Sequence, residues 1–474
     1  MSKIPAARDE PGTDAAESPA SPQSAQSAQS AQLARGESVA APESTHGPSA
    51  GHVAESGPDP ATTAVGTPSP PGAAVPGNEV IADSAPVADS GIAQPIGAGV
   101  VTALVGFTSS FAVVLSGLSA VGATHAQAAS GLLALCVTQA VGMILLSYRY
   151  RMPITLAWST PGAALLASTG AVSGGWAAAV GAFALTGVLV VITGLWQRLG
   201  NLVAAIPVEI AQAMLAGVLV PLCLAPVEAV HTSPGVVVPV IVVWVVLQRF
   251  AKRWAVIAAF VTAVIGAGVS IVAGHRSLDL SAMVPSVELT LPHWNWQAML
   301  GVAIPLYIVT MASQNIPGTA VMRSFDYRVP WRAAMTVTGI GTVLGAPAGG
   351  HAINLAAISA ALSAAPAAHP DPRRRWIAAV TAGCAYLLLA LGSAALVTFI
   401  AAAPAGTLET VAGLALLATL AAALAGALRS ERHREAGVVT FLIAASGVGF
   451  LGIGAAFWAL IAGLVVRRVL DHRD

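Results

Sequence analysis

Charged residues are scarce in this chain. Only 9% of its 474 residues are Asp, Glu, Lys or Arg, whereas 55% are hydrophobic and the mean hydropathy is +0.75. Soluble domains carry about 25% charged residues, so this composition excludes an ordinary soluble globular protein. The acids are also segregated, because residues 1–92 contain 11 of the 22 acidic residues. The composition therefore predicts a polytopic membrane protein preceded by a polar N-terminal segment.

Cysteines and clustered polar ligands are also rare. The three cysteines, Cys136, Cys223 and Cys384, lie in apolar runs, and their spacing predicts neither a disulfide framework nor a metal site. Buried free thiols are the simpler interpretation. No apolar run contains a His/Asp/Glu cluster or a nucleophile beside a base, which argues against an integral membrane enzyme. We expect no cofactor, no metal and no nucleic acid partner.

Aromatic residues are absent from the first 106 positions. Residues 1–92 are rich in Ala, Ser, Pro and Gly and repeat Ser-Ala-Gln between Ser24 and Gln32. Such a segment cannot bury enough apolar surface to offset the entropy of ordering, so we expect a disordered tail. It lacks the basic start and apolar centre of a secretory signal peptide. An inert extension and a docking tail are both compatible with it.

Fourteen apolar runs follow the tail and predict an all-α transmembrane domain over residues 93–470. Several runs are shorter than the ~20 residues that a full crossing needs. Hydropathy alone leaves open whether 333–363 and 436–466 each form one helix or two crossings. The runs lie near 96–119, 128–147, 153–172, 175–196, 203–224, 234–248, 254–273, 297–315, 333–345, 346–363, 376–399, 406–427, 436–447 and 449–466.

The positive residues predict the orientation of these spans. With 14 crossings and both termini in the cytoplasm, 18 of the 19 Lys and Arg residues after the tail fall on the cytoplasmic side, and only Arg276 falls outside. An excess of Lys and Arg in short cytoplasmic loops is the usual determinant of orientation. The spans divide into a first repeat at about 96–273 and a second at about 297–466. Because each repeat has an odd number of spans, the sequence predicts a 7+7 inverted repeat.

Two apolar segments are interrupted by Pro and Gly at equivalent places, as the third element of each repeat. Residues 153–167 contain Trp158-Ser-Thr-Pro-Gly162, and residues 345–358 contain Gly349-Gly-His-Ala-Ile-Asn354. Backbone at membrane depth breaks only where protein buries it or water reaches it. A matched pair of broken segments indicates the substrate site of a transporter. Two kinks that only improve packing are the alternative.

The first broken segment has the sequence of a helix start. We expect Thr160 to be the N-cap and Pro161 to occupy the first helical position. The N–H groups after Pro161, including that of Gly162, and the positive end of the helix dipole would then favour an anion beside Ser159 and Thr160. The N-terminus of the second half-helix would face the first across the centre of the membrane.

Polar residues in the first and eighth spans extend this predicted site. Ser110 and Phe111 lie in the first span, while Gln314 and Asn315 precede a helix break at Pro317 in the eighth. Polar residues inside membranes usually face the interior of the helix bundle. Hydrogen bonds between helices are the alternative explanation for them.

Two residues are candidates for proton coupling. His351, which lies with Asn354 in the second broken segment, is the one titratable side chain in either segment, and histidine changes charge near neutral pH. Glu209 is the one acid well inside an apolar run. A structural hydrogen bond for His351 and a place at the cytoplasmic interface for Glu209 are the alternatives.

Three motifs together resemble the benzoate/proton symporter (BenE) family over about residues 95–470. They are Ile154-Thr-Leu-Ala-Trp-Ser-Thr-Pro-Gly-Ala-Ala-Leu166, Gln314-Asn-Ile-Pro-Gly318, and Gly349-Gly-His-Ala-Ile-Asn-Leu355 followed by His369-Pro-Asp-Pro372. The resemblance implies proton-coupled uptake of benzoate across a bacterial inner membrane. The family is remotely similar to nucleobase/proton symporters and sulfate transporters, whose fold implies a core and a gate domain.

The departure from the nucleobase group is informative. That group places acidic residues against its substrate in the eighth span and the second broken segment, where this chain has Gln314 and Asn354. Neutral amides in place of carboxylates suit an anionic substrate, because they do not repel it. We therefore expect a secondary active transporter, embedded in the lipid bilayer, that binds a small aromatic carboxylate such as benzoate together with a proton. A nucleobase or another small anion, a uniporter or channel mechanism, and a homo-oligomer stay open.

Overall fold

The computed structural model describes residues 91–274 and 281–471. The predicted tail lies almost entirely outside the described residues, as does Arg276. In the first half the elements are α1 (Ala93–Thr108), α2 (Phe111–Ala120), α3 (His125–Tyr150), β1 (Leu156–Trp158), α4 (Thr160–Thr169), α5 (Gly175–Leu195), α6 (Gln197–Ala204), α7 (Val208–Thr232), α8 (Pro234–Phe250) and α9 (Ala255–Ala273).

The second half repeats this order. Its long first helix, α10, covers Trp296–Ser324. It is followed by α11 (Trp331–Gly345), β2 (Ile353–Leu355), α12 (Ile358–Ala364), α13 (Trp376–Leu391), α14 (Ser393–Ala401), α15 (Thr407–Ala427), α16 (Arg434–Ser446) and α17 (Ala455–Asp471). Within residues 91–274 and 281–471, eight helical segments are long and apolar enough to span a membrane.

The two ambiguous apolar regions are each divided into two successive segments. The region 333–363 consists of α11 and then the broken segment formed by β2 and α12, and the region 436–466 consists of α16 and α17. The span predicted at 203–224 was wrong in its bounds. Its helix, α7, runs from Val208 to Thr232 and follows Pro207, because proline is tolerated at a helix start but ends the preceding helix.

Helix packing follows the same pattern in both halves. Helices α3 and α11 occupy equivalent places in the two halves, and α3 packs against α13 while α11 packs against α5. The α8–α9 hairpin of the first half corresponds to the α16–α17 hairpin of the second. Helix α7 lies along its counterpart α15. These contacts define two groups, a first of α1–α5 with α10–α14 and both strands, and a second of α7–α9 with α15–α17. Helix α6 lies in the chain between the first group and the second.

The two broken segments meet in a short antiparallel ribbon. Strands β1 and β2 pair through Leu156 with Leu355, Ala157 with Asn354 and Trp158 with Ile353. The ribbon satisfies backbone N–H and C=O groups that a membrane interior would otherwise leave unpaired. Because the strands are antiparallel, α4 and α12 begin at opposite ends of the ribbon. The prediction of two broken half-helix segments is thereby confirmed.

Helix α10 is irregular where it passes the ribbon. It contains two π-helical stretches, Met299–Ala303 and Met311–Asn315. Each stretch lies just before a proline, Pro305 or Pro317, whose nitrogen cannot donate to the carbonyl four residues earlier. Widened turns of this kind change the direction of nearby side chains and occur frequently at functional sites.

Candidate functional site

A cavity of about 1300 Å³, its open mouth included, lies between the two groups of helices. The first group contributes the α1–α2 junction, the start of α4, a π-helical stretch of α10 and the start of α12, while the second contributes α7 and α15. Its polar lining residues are Ser109, Ser110, Trp158, Thr160, Gln212, Ser313, Gln314, Ser359 and Thr419. Among the described residues, no Asp, Glu, Lys, Arg or His lines this cavity.

The N-terminus of α4 opens onto the cavity through Thr160. The N-cap is Ser159, whose Oγ accepts a hydrogen bond of 3.1 Å from the Gly162 N–H. The prediction that Thr160 caps this helix was wrong by one residue, because the hydroxyl that reaches the N–H three positions along is that of Ser159. Pro161 has no N–H and the Gly162 N–H is already paired, so Thr160, which lines the cavity, contributes its N–H and hydroxyl at this helix start.

Ser110 and Trp158 join the α1–α2 junction to β1. The Trp158 Nε1–H donates a hydrogen bond of 2.8 Å to Ser110 Oγ. The Ser110 hydroxyl in turn donates to the Gly106 carbonyl at 3.2 Å. Both side chains line the cavity, so this bond fixes two of its lining residues to one another.

The neighbouring residues Gln314 and Asn315 have different surroundings. Gln314 is half-buried and lines the cavity. Asn315 is fully buried, and its Oδ1 accepts a hydrogen bond of 2.9 Å from the Leu355 N–H. Asn315 therefore holds α10 against β2, whereas Gln314 is available to a ligand.

His351 and Asn354 lie behind the cavity lining and are fully buried. His351 Nε2 is 3.0 Å from the carbonyl oxygen of Ser159, to which a neutral imidazole donates. With its amide oriented so that both polar atoms are paired, Asn354 accepts from the Ser159 N–H at 3.1 Å. Both residues thus support the residue that caps α4.

Phe111 and Glu209 are separated from the cavity. Phe111 stacks on Phe107 with a ring-centroid distance of 5.4 Å and meets the edge of Phe260 at 4.8 Å. It borders a separate, small and mainly apolar space that Phe260 and Phe399 also line. Glu209 lies half-buried in the first turn of α7, where the helix dipole favours a negative charge. Three residues later, Gln212 reaches the cavity.

Six polar residues of the cavity lining were missing from the predicted site. Ser109 and Ser313 are two of them, and each directly precedes a predicted residue, Ser110 or Gln314. Trp158 stood inside a quoted motif, and its indole N–H, a donor that usually finds a hydrogen-bond partner when buried, is a signal that could have identified it. Gln212 is a neutral polar residue inside an apolar run, and this signal could have identified it. Thr419 and Ser359 gave no distinguishing signal, because hydroxyl side chains in helices commonly bond to the preceding turn.

Sequence comparison relates the chain to known membrane proteins. The family described as BenE, benzoate membrane transport protein, matches residues 91–469. The inner membrane protein YdcO of Escherichia coli (strain K12) is 38% identical over 375 residues, which are 79% of this chain and 95% of YdcO. The benzoate membrane transport protein of Acinetobacter baylyi is 28% identical over 338 residues, which are 71% of this chain and 85% of that relative.

Structural comparison identifies the fold. The transmembrane domain of a cyanobacterium bicarbonate transporter, BicA, aligns with a TM-score of 0.52 at 16% identity and covers 81% of this chain and 97% of that domain. The murine Solute Carrier 26 family member A9 anion transporter, in its inward-facing state, aligns with a TM-score of 0.55 at 13% identity and covers 80% of this chain and 68% of that transporter. At these identities the similarity concerns the fold alone, which is a 7+7 inverted repeat, as the sequence predicts. The chain is a multi-pass membrane transport protein and belongs to the BenE benzoate membrane transport family.

Proposed function

We propose that this protein carries benzoate, or a similar small aromatic carboxylate, across the membrane together with a proton. One observation carries the proposal: the cavity between the two helix groups combines neutral hydrogen-bond donors beside a helix N-terminus with a largely apolar remainder. The family relationship and the name of the Acinetobacter baylyi relative support the same substrate class.

The donors suit the carboxylate group. An aromatic acid ionises around pH 4, as Asp and Glu do, so the substrate is an anion at neutral pH. The Thr160 N–H and hydroxyl lie at the positive end of α4, and the Gln314 amide lines the same cavity, whereas the Ser110 hydroxyl already donates to the Gly106 carbonyl. Hydrogen bonds from neutral groups can bind an anion there without a buried cation, and no carboxylate among the described lining residues repels it.

The apolar part of the cavity suits the ring. Leu215 and Leu416 line it together with the small side chains of Ala356, Ala357 and Ala415, which leave room for a planar ring. A ring buried there gains hydrophobic stabilisation in proportion to its apolar area. A small inorganic anion would leave this surface unused. The resemblance implies that nucleobase symporters have acids at the positions of Gln314 and Asn354, and the neutral amides here disfavour a nucleobase.

A co-transported proton removes the electrical cost of uptake. Moving one negative charge into a cell against the membrane potential costs about 2.3 kcal/mol per 100 mV. One proton cancels this cost and adds the pH gradient as a driving force. The proposed proton carriers are His351, which is hydrogen bonded to the α4 cap residue Ser159, and Glu209, at the start of α7. The substrate's own carboxyl group is a third candidate carrier of the proton.

We place the protein in a bacterial inner membrane with both termini in the cytoplasm. The excess of Lys and Arg in loops of one side supports the orientation, and the name of the Escherichia coli relative supports the membrane.

Uptake by proteoliposomes tests the proposal. Labelled benzoate should accumulate inside vesicles when the outside is made acidic, and should only equilibrate at equal pH with the membrane potential clamped at zero. Unlabelled benzoate should compete, whereas uracil, bicarbonate and sulfate should not. Accumulation that is the same with and without the pH gradient would refute proton coupling, and the absence of saturable benzoate uptake would refute the substrate class.

A further inference from the structure

A second, basic cavity lies at the C-terminal end of α10. It measures about 1100 Å³, its open mouth included, and is lined by Gln197, Thr319, Arg323, Arg328, Val329 and Trp331. Arg323 belongs to the last turn of α10, and Arg328 belongs to the loop before α11. Both arginine side chains are exposed. The lining thus presents two cations to whatever enters the cavity.

No negative charge of the described chain neutralises this pair. Within residues 91–274 and 281–471, neither guanidinium forms an ion pair with a carboxylate, and the cavity lining contains no acid. The same loop carries Asp326, which is held in a left-handed conformation (φ 64°) and is not part of the lining. Arg332, in the first turn of α11, adds a further positive charge nearby in the chain.

Helix α6 forms one edge of this cavity and is amphipathic. Trp196, just before the helix, and Leu202 are 54% and 67% exposed. Gln197 and Asn201 lie on the opposite side of the helix and are hydrogen bonded to each other at 3.2 Å. Gln197 also lines the basic cavity. A short helix with exposed apolar residues on one side and polar residues on the other is typical of a segment lying in the membrane interface.

We propose that the basic cavity binds the phosphate headgroup of an anionic phospholipid, with its acyl chains against the exposed apolar side of α6. Arginine is well suited to phosphate because its planar guanidinium donates two parallel hydrogen bonds. Basic pockets between membrane helices on the cytoplasmic side are a recurring form of lipid recognition, and the arginine distribution predicts that this end of α10 is cytoplasmic. Free phosphate shares the headgroup chemistry, but only a lipid also covers Trp196 and Leu202.

A lipid bound at this position would contact helix α6, and this contact is how it would affect transport. Helix α6 connects α5 in the first helix group to α7 in the second. A lipid bound against α6 contacts the connection between the two groups that enclose the large cavity. The inference concerns a site separate from that cavity and holds whatever the transported solute is.

Thermal unfolding in detergent with added lipid tests the proposal. Phosphatidylglycerol should raise the midpoint for the wild-type protein more than phosphatidylcholine does. The double variant Arg323→Gln/Arg328→Gln should lose this difference, with roughly thirtyfold weaker phosphatidylglycerol binding if each arginine contributes about equally. The charge-matched control Arg249→Gln/Arg429→Gln removes two exposed arginines elsewhere and should behave as wild type.

Two further arms keep the test decisive. Arg323→Lys/Arg328→Lys keeps the charge but loses the parallel hydrogen bonds, so its phosphatidylglycerol effect should lie between those of wild type and the glutamine variant. It also provides a readout if the glutamine variant fails to fold. Inorganic phosphate should give no comparable shift. Equal phosphatidylglycerol shifts in the glutamine variant and in wild type would overturn the site, and a phosphate shift as large as that of phosphatidylglycerol would overturn the lipid assignment.

Discussion

The hydroxyl oxygens of Ser159 and Thr310 lie 2.8 Å apart in the protein interior, and this bond fastens the cap of α4 to α10. The same Ser159 accepts from the Gly162 N–H through its hydroxyl and meets His351 through its carbonyl oxygen. The start of α4, which belongs to the first half of the chain, is therefore positioned by two residues of the second half, Thr310 and His351. We expect substitutions at these contacts to change substrate affinity, although the substituted side chains do not themselves contact the substrate.

Thr310→Val should weaken benzoate binding and lower stability. The change keeps the shape of the side chain but removes the buried partner of Ser159, at a cost of about 1–3 kcal/mol. Binding to purified protein and the unfolding midpoint measure the two effects. Thr338→Val is the matched control, because Thr338 is equally buried and its hydroxyl bonds only within its own helix. Equal loss of affinity in both variants would contradict a specific role for the Ser159 contact.

Gly162→Ala should reduce benzoate affinity while the protein still inserts and stays monodisperse. A Cβ atom at this position would lie 2.4 Å from Leu306 Cδ1 and 2.7 Å from Ser159 Oγ, so the capped turn must shift. Gly97→Ala is the control, since no atom lies within 4 Å of its added Cβ. There, alanine should stabilise α1 by up to about 1 kcal/mol. Unchanged benzoate affinity in Gly162→Ala would show that the start of α4 is not part of the substrate site.

Gln314→Glu should lower benzoate affinity most strongly at high pH. At ~4 Å and an effective dielectric near 20, repulsion between two carboxylates is on the order of 4 kcal/mol. Affinity should recover as the pH falls and the new carboxyl group takes up a proton. Gln212→Glu places the same charge on the opposite side of the cavity and should have a smaller effect. Wild-type affinity of Gln314→Glu at pH 8 would argue against this residue facing the carboxylate.

His351→Gln should abolish pH-driven accumulation of benzoate but keep exchange of labelled for unlabelled benzoate at equal pH. Glutamine can still donate to the Ser159 carbonyl, so the cap of α4 is preserved, while the exchangeable proton is lost. Counterflow and gradient-driven uptake distinguish the two activities. If the variant still accumulates benzoate, Glu209→Gln is the next test. Accumulation by both variants would assign the proton to water or to the substrate's own carboxyl group.

Asp471→Asn should loosen the end of α17 at neutral pH and have no effect in strong acid. A 2.8 Å hydrogen bond from His433 lowers the pKa of Asp471, with further lowering by Arg467 and Arg432. Because the folded pKa lies below the unfolded one, the stabilisation is present above the ordinary Asp pKa of about 3.9 and disappears as pH falls through the folded value.

Hydrogen exchange of the last turn of α17, compared between variant and wild type at each pH, checks this expectation. Glu431→Gln is the control, because its carboxylate is 91% exposed and lies 3.7 Å from its arginine partner. A difference between Asp471→Asn and wild type that persists below both pKa values would contradict the assignment.

Much of the fold is predictable from this sequence because lipid imposes simple rules. Apolar length and the excess of arginine in alternate loops are sufficient to predict 14 segments and two repeats, and the breaks at Pro161 and Gly349 mark the third segment of each. The second half-helix was harder to place. Since Ala357, its N-cap residue, has no side chain that can cap a helix, the sequence does not mark the start at Ile358, which follows the pairing of β2 with β1.

The site was predictable only in part. Thr160, Ser110 and Gln314 line the cavity, whereas Asn315, Asn354 and His351 face inward to the backbone of the ribbon and of α4. Polar type and position along the chain do not distinguish these two orientations. The difference arises from the π-helical stretch of α10 and the strand pairing, which turn adjacent residues in opposite directions.

The ribbon of β1 and β2 also limits how chain length can vary during evolution. Side chains alternate between the two faces of a strand, so inserting or deleting one residue in either strand exchanges the faces of all its side chains. In β2, that shift would turn the fully buried Asn354 to the face of the ribbon on which Ile353 and Leu355 now lie. It would also move the start of the half-helix that follows the strand by one residue. Members of this family should therefore tolerate length changes in the loops around residues 170–174 and 447–454 but conserve the number of residues from Thr155 to Gly162 and from His351 to Ile358.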